Sequence, residues 1–230
     1  GASTGYALDL TRAVADAALI MVSVPLREAD RVLREILFLK PSGVVADICS
    51  LKSPVLETLQ AGVAQGLRVT SCPPMFGPGV DFLAGRNILL CECGCPEATG
   101  RLREVFRETS ALLPELPVER HDELVSYLLG ASHLLNLLFA GVLAGSGFPF
   151  SRLEQLGSTT FHHQAAVSRD VSRENPELYY DIQALNHHRD QLLERFRTAL
   201  HELEQAIVEA RPERFRELMR VGNDYFQKQA

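Results

Sequence analysis

Three short segments concentrate the side chains able to do chemistry. Ser23-Val-Pro25 closes the apolar run Ala18–Val24, and Asp47-Ile-Cys-Ser-Leu-Lys52 follows a second run, Val44–Ile48. Both runs read as buried strands, and in a doubly wound sheet ligands bind just outside the carboxyl ends of the strands. The third segment, Cys72-Pro-Pro-Met-Phe-Gly-Pro78, is a loop whose prolines and glycine fix its backbone. Asp9 ends Gly5-Tyr-Ala-Leu-Asp9, a candidate strand; a carboxylate there suits the 2′-hydroxyl of an adenosine ribose. Asp9 is equally a helix N-cap before Leu10–Ala17, and Arg12 stands close enough in sequence to meet a 2′-phosphate. His162-His163 and His187-His188 offer one ligand per helix face, since adjacent residues point about 100° apart on a helix. Cys91, Cys93 and Cys95 lack the spacing of a zinc site. No metal site is expected.

The elements that must position these groups follow two periods. Over the first hundred or so residues, apolar runs alternate with amphipathic stretches at Ala29–Leu39, Pro54–Ala64 and Glu97–Leu112. Two shorter strands fall at Leu67–Thr70 and Asn87–Cys91. Such alternation predicts a parallel sheet with helices on both faces. From about Glu119 the strand signals stop, and Leu124, Leu128, Leu135 and Leu138 recur at helical spacing. Four helices are expected there, the longest from Glu177 to Ala210. The fold class is therefore α/β: a Rossmann-like domain over residues 1–118, followed by an all-helical domain over 119–230 of the kind that pairs with its own copy.

Composition sets the outer limits. The chain has 230 residues, 46% hydrophobic and 23% charged, which is the balance of a globular protein. A net charge of −6 argues against a nucleic-acid footprint of clustered Lys and Arg. Apolar runs such as Ala17–Val24 are too short to span a bilayer, so no membrane partner is expected. Five cysteines in an odd set do not form a secreted disulfide framework, and a cytoplasmic location is expected.

Taken in order, Val22-Ser-Val-Pro25, Asp47–Lys52, Met75-Phe-Gly-Pro78, His121-Asp122, His133 and Asn175-Pro-Glu-Leu-Tyr-Tyr-Asp-Ile182 resemble the prephenate and arogenate dehydrogenases of tyrosine biosynthesis. The likeness runs from about Ala15 to Asn186. It implies a nucleotide-binding domain and a helical dimerisation domain, hence a homodimer. It also implies oxidation of a cyclohexadienol diacid by NAD or NADP, NAD being favoured, with loss of carbon dioxide making the ring aromatic. Ser50 matches the serine that orients the substrate hydroxyl. Arg169 is the best match to the arginine gripping a substrate carboxylate, where a guanidinium fork donates two parallel bonds; spacing to Pro176 leaves Arg173 as an alternative. His133 matches a histidine near the substrate pocket. Ser23, Val24 and Pro25 would line the cofactor cleft, and Asp9 would hold the ribose.

Two departures stand beside these matches. Where the family has His-Pro before Met-Phe-Gly-Pro, this chain has Pro73-Pro74, and the family's proton acceptor is that His. Cys72 is the adjacent titratable group. Leu129 stands where the family often has Gln. The other departure is that no Gly-x-Gly-x-x-Gly precedes Asp9. Either the chain continues upstream, or another segment or partner completes the sheet. The resemblance supports an oxidoreductase acting on prephenate, arogenate or an amino-deoxy analogue. The rival is a non-catalytic homologue binding a cyclohexadiene acid or a protein partner.

Overall fold

The computed structural model describes residues 9–77 and 79–227, and the chain divides after His187 into two compact units. In the first unit, α1 (Leu10–Ala15) leads into β1 (Leu19–Val22), α2 (Leu26–Phe38) and β2 (Val44–Asp47). Next come α3 (Leu56–Ala64), β3 (Val69–Ser71), β4 (Leu90–Glu92), α4 (Pro96–Phe106) and β5 (Glu115–Pro117). The five strands form one sheet in chain order. Helix α2 shows how patterning builds this layer. Leu26, Ala29, Leu33, Ile36 and Leu37 bury one stripe, while Arg31 pairs with Glu28 and Glu35 on the wet side. Gly43 lets β2 start beside β1, because a Cβ there would collide with the Ala17 carbonyl oxygen.

The sheet is mixed rather than purely parallel. β1, β2 and β3 are parallel, β3 and β4 antiparallel, and β4 and β5 parallel. The reversal follows from the connection: the described residues of 72–89 contain no helix to carry the chain back over the sheet, which a parallel return requires. That segment is tied along β4's approach, with Leu89 N–H donating to the Pro73 carbonyl (3.1 Å) and Met75 N–H to Asn87 (2.9 Å). β5 was not expected; flanked by Pro114 and ending at Pro117, it has the composition of an edge strand. β1, expected to be buried on both faces, has Met21 43% exposed and no strand on its outer side among the described residues. The candidate strand Gly5–Asp9 lies outside the described residues except for Asp9 itself.

Helices follow from Val118. α5 (Val118–Val125), one π turn (Ser126–Ala131) and α6 (Ser132–Ala144) run on as a single helical rod of 27 residues. It is long and apolar enough to cross a membrane by length and composition alone, which corrects the expectation that every apolar run is too short. α7 (Phe150–Leu156), α8 (Thr159–Val171) and α9 (Pro176–Ala184) complete the unit. The expected helix from Glu177 to Ala210 is broken at 185–188. There Asn186 donates its side-chain amide to the Asp122 carbonyl (3.0 Å) and His187 N–H donates to Ser53 Oγ (3.2 Å).

The second unit is a helical hairpin of α10 (Arg189–Val208) and α11 (Pro212–Gln227). Ala210 turns it in the left-handed region, with Arg211 N–H donating to the Ala206 carbonyl at 2.9 Å. Arg214 pairs with Glu202 across the hairpin (3.2 Å).

Candidate active site

A cavity of about 320 Å³ opens where β1 and β2 end. Its floor is Ser23, Val24, Pro25 and Leu26 after β1, with Ile48, Cys49 and Ser50 after β2. Asn175, Glu177, Leu178 and Asp181 close the opposite wall. Pro25 is the N-cap of α2 and makes no side-chain hydrogen bond to it. Asn175 caps α9 by accepting from the N–H groups of Glu177 (2.9 Å) and Leu178 (3.3 Å). The Asn175-Pro176 pair is the usual start signal for a helix. Arg27 Nε donates to both oxygens of Asp181 (2.9 and 3.1 Å), tying α2 to α9 at the rim. The lining thus carries two carboxylates and no Lys or Arg.

Behind the floor lies a buried charge network. Lys52, 1% exposed, forms an ion pair with Asp47 that burial opposes but the carboxylate sustains, keeping its pKa raised. Asp47 also accepts from Cys49 N–H (2.9 Å). Asp122 of α5 accepts from Lys52 N–H (2.7 Å), Ser53 N–H (2.5 Å), Ser53 Oγ–H and His121 Nδ1–H (2.6 Å). Burial would push this carboxyl up; the hydrogen bonds from His121, Ser53 and Lys52 together hold it at about 2. His121 is fully buried with Nε2 unpartnered, and burial lowers its pKa, so it is a neutral Nδ1–H donor. Burial raises the Cys49, Cys72 and Cys91 thiols to about 12, and they stay protonated at neutral pH.

The residues singled out from sequence fall into five places. Ser23, Val24, Pro25 and Ser50 share the strand-end cavity. Arg169 and Arg173 instead line a second cavity of about 460 Å³ walled by Phe148, Phe150 and Leu153. There Arg169 pairs with Glu154 (2.9 Å) and lies 5.0 Å from the Phe150 ring. His133 is mostly buried, stacks on Tyr179 at 4.1 Å, and is held neutral by burial. Asp9 caps α1 by accepting from Thr11 N–H (2.9 Å). Pro73 is buried and lines neither of these cavities. Sequence reasoning gave no role to Arg27, Glu177, Asp181 or Asp122. Asp122 and Asp181 stood inside the motifs that carried the resemblance, but only tertiary contacts assign them work.

Comparison with known proteins fits this geometry. Residues 4–92 match the family profile described as prephenate dehydrogenase, nucleotide-binding domain, and residues 117–221 match prephenate dehydrogenase, dimerization domain. The chain belongs to the prephenate dehydrogenase family. A probable arogenate/prephenate dehydrogenase of Methanocaldococcus jannaschii is 22% identical over 92% of this chain and 48% of its own length. A 4-amino-4-deoxyprephenate dehydrogenase of Streptomyces pristinaespiralis is 30% identical over 76% of this chain and 58% of its own. The chain thus spans about half the length of the curated relatives it matches. Among solved structures, prephenate dehydrogenase from Aquifex aeolicus in complex with hydroxyphenyl propionate and NAD+ aligns with TM-score 0.75. It is 17% identical and covers 97% of this chain and 81% of that one, a likeness of fold.

Proposed function

We propose that the chain carries the core of an NAD(P)-dependent dehydrogenase for prephenate or a close analogue such as arogenate or an amino-deoxyprephenate. The supporting observation is the strand-end cavity, in which Ser23–Pro25 and Ser50 meet at the place where doubly wound sheets bind ligands. At about 320 Å³ it is at the small end of ligand pockets, which run roughly 300–1,000 Å³. That size accepts a ring and one sugar rather than a whole dinucleotide. NAD(P)+, when bound, supplies the hydride acceptor. Ser23, Val24 and Pro25 line the cleft for its nicotinamide half, and Asp9 is assigned to the adenosine ribose. Ser50 orients the group on the reacting carbon. His133 is assigned to the substrate region, and Arg169, although it lines a separate cavity and pairs with Glu154, to a substrate carboxylate. Residues 1–118 form the nucleotide-binding domain in this reading, and 119–230 the substrate and dimerisation domain.

An amine on the reacting carbon suits these residues better than a hydroxyl. Oxidising an alcohol requires a base for its proton, and Pro73 has none to offer, while Cys72 is buried with a pKa of about 12. A neutral amine needs no base at that step. Its lone pair forms the C=N bond as hydride departs, and loss of carbon dioxide returns the electron pair as the ring becomes aromatic. Comparing turnover of prephenate and 4-amino-4-deoxyprephenate with NAD+ tests this preference. Faster oxidation of the amine supports it, and faster oxidation of prephenate refutes it.

The partner is a second copy. Leu128, Leu135, Leu138 and Val142 are exposed along one side of the helical rod, inside the segment that matches the dimerization profile.

A further inference from the structure

Ser50 sits in residues 49–52 of the loop 48–55, which joins β2 to α3 and brings Ser50 to the cavity. This stretch is fixed at both ends by buried carboxylates. Asp47 takes Cys49 N–H at its start and the Lys52 ammonium at its end. Beyond Lys52, the N–H groups of Lys52 and Ser53 both point at Asp122, which arrives from α5, 69 to 70 positions along the chain. Asp122 is 5% exposed and takes four donors, and its own helix is anchored to the loop again through Asn186, which bonds the Asp122 carbonyl. His187 N–H closes the circuit on Ser53 Oγ. Leu51, the residue between Ser50 and Lys52, is wholly buried, so the loop has little freedom to compensate if one tether is cut.

We propose that Asp122 is a positioning residue that sets Ser50 at the cavity by holding the Lys52 and Ser53 amides from the helical side of the fold. The proposal rests on the role given to Ser50 above. It also supplies a physical reason for the His121-Asp122 pair in the sequence: His121, buried and neutral, donates to Asp122 and aims the carboxylate at the loop. An amide side chain of the same shape cannot replace it, because one of its two heads is a donor facing other donors.

Hydrogen exchange on the whole protein and on Asp122→Asn tests the tether directly. The Lys52 and Ser53 amides should exchange about ten-fold faster or more in the variant, while Val44–Asp47 in β2 keep their protection. Unchanged exchange at 52 and 53 would overturn the proposal, as would equal acceleration throughout the sheet, which would mark Asp122 as a general stabilising residue. The kinetic arm is a double-mutant cycle on kcat/KM. Asp122→Asn should cost at least about ten-fold alone but no more than about two-fold in a Ser50→Ala background, because the residue acts through Ser50. Fully additive losses would contradict it. Absence of turnover in the parent protein would sink the proposed function and leave exchange to decide the tether.

Discussion

The carboxylate of Asp122 and the imidazole of His121 make the fold's acid response predictable. Asp122 has a folded pKa of about 2, below the usual carboxyl value near 3.9, so it stabilises the fold above that value. That stability is lost as pH falls from about 4 toward 2. His121 is held below its ordinary value near 6.5, so protonation favours the unfolded chain as pH drops under about 6.5. Thermal midpoints measured against pH should therefore decline in two stages. His121→Asn, with an amide in place of the titrating ring, should shrink the upper stage to the part that the buried His133 contributes and keep the lower. A midpoint flat from pH 7 to 4 in the parent protein would contradict this assignment. The second prediction at this scale concerns position 73. Because Pro73 is buried and lines neither cavity, Pro73→His supplies a proton acceptor only where its loop lies against the bound substrate; a selective gain in kcat/KM on prephenate over the amine would place that loop there, and no gain would place it away from the reacting carbon. Steady-state kinetics on the two substrates would show whether the gain is selective.

At the scale of elements, the sequence was most legible where pattern and packing agree. The runs at Ala18–Val24 and Val44–Ile48 became β1 and β2 because consecutive apolar side chains cannot satisfy a helix with one wet face. β5 was hidden because three residues bracketed by prolines carry no period. The antiparallel turn of β4 depends on how residues 72–89 travel, which no local pattern encodes. The break between α9 and α10 was likewise invisible, since it is made by bonds from Asn186 and His187 to distant residues. In the same way, spacing set Ser23–Pro25 and Ser50 at the ends of neighbouring strands, where they line one cavity, but could not foresee that Arg169 would turn to Glu154 and Phe150. Two element-level outcomes are expected. Gly43→Ala should destabilise the protein by a few kcal/mol, because its Cβ meets the Ala17 carbonyl, and chemical denaturation would measure this. Leu138→Glu, which charges the exposed side of α6, should convert a dimer to monomers by light scattering, and a persistent dimer would place the interface elsewhere.

At the scale of the whole first unit, the mixed sheet is bound to α5 and to the turn after α9 by polar contacts that converge on one loop. Asp122 from α5 and Asn186 and His187 after α9 all reach residues 52, 53 or each other. The geometry around Ser50 thus depends on contacts from both the sheet layer and the helices α5 and α9, and the proposed site is the strand-end cavity. The most direct measurement of that claim is formation of reduced cofactor when the protein is mixed with NAD+ and either prephenate or 4-amino-4-deoxyprephenate, with Ser50→Ala run in parallel. Turnover of at least one substrate, falling by ten-fold or more in Ser50→Ala, is the result predicted. No turnover of either, or turnover indifferent to Ser50, would mean that the cavity at the ends of β1 and β2 is not the catalytic site.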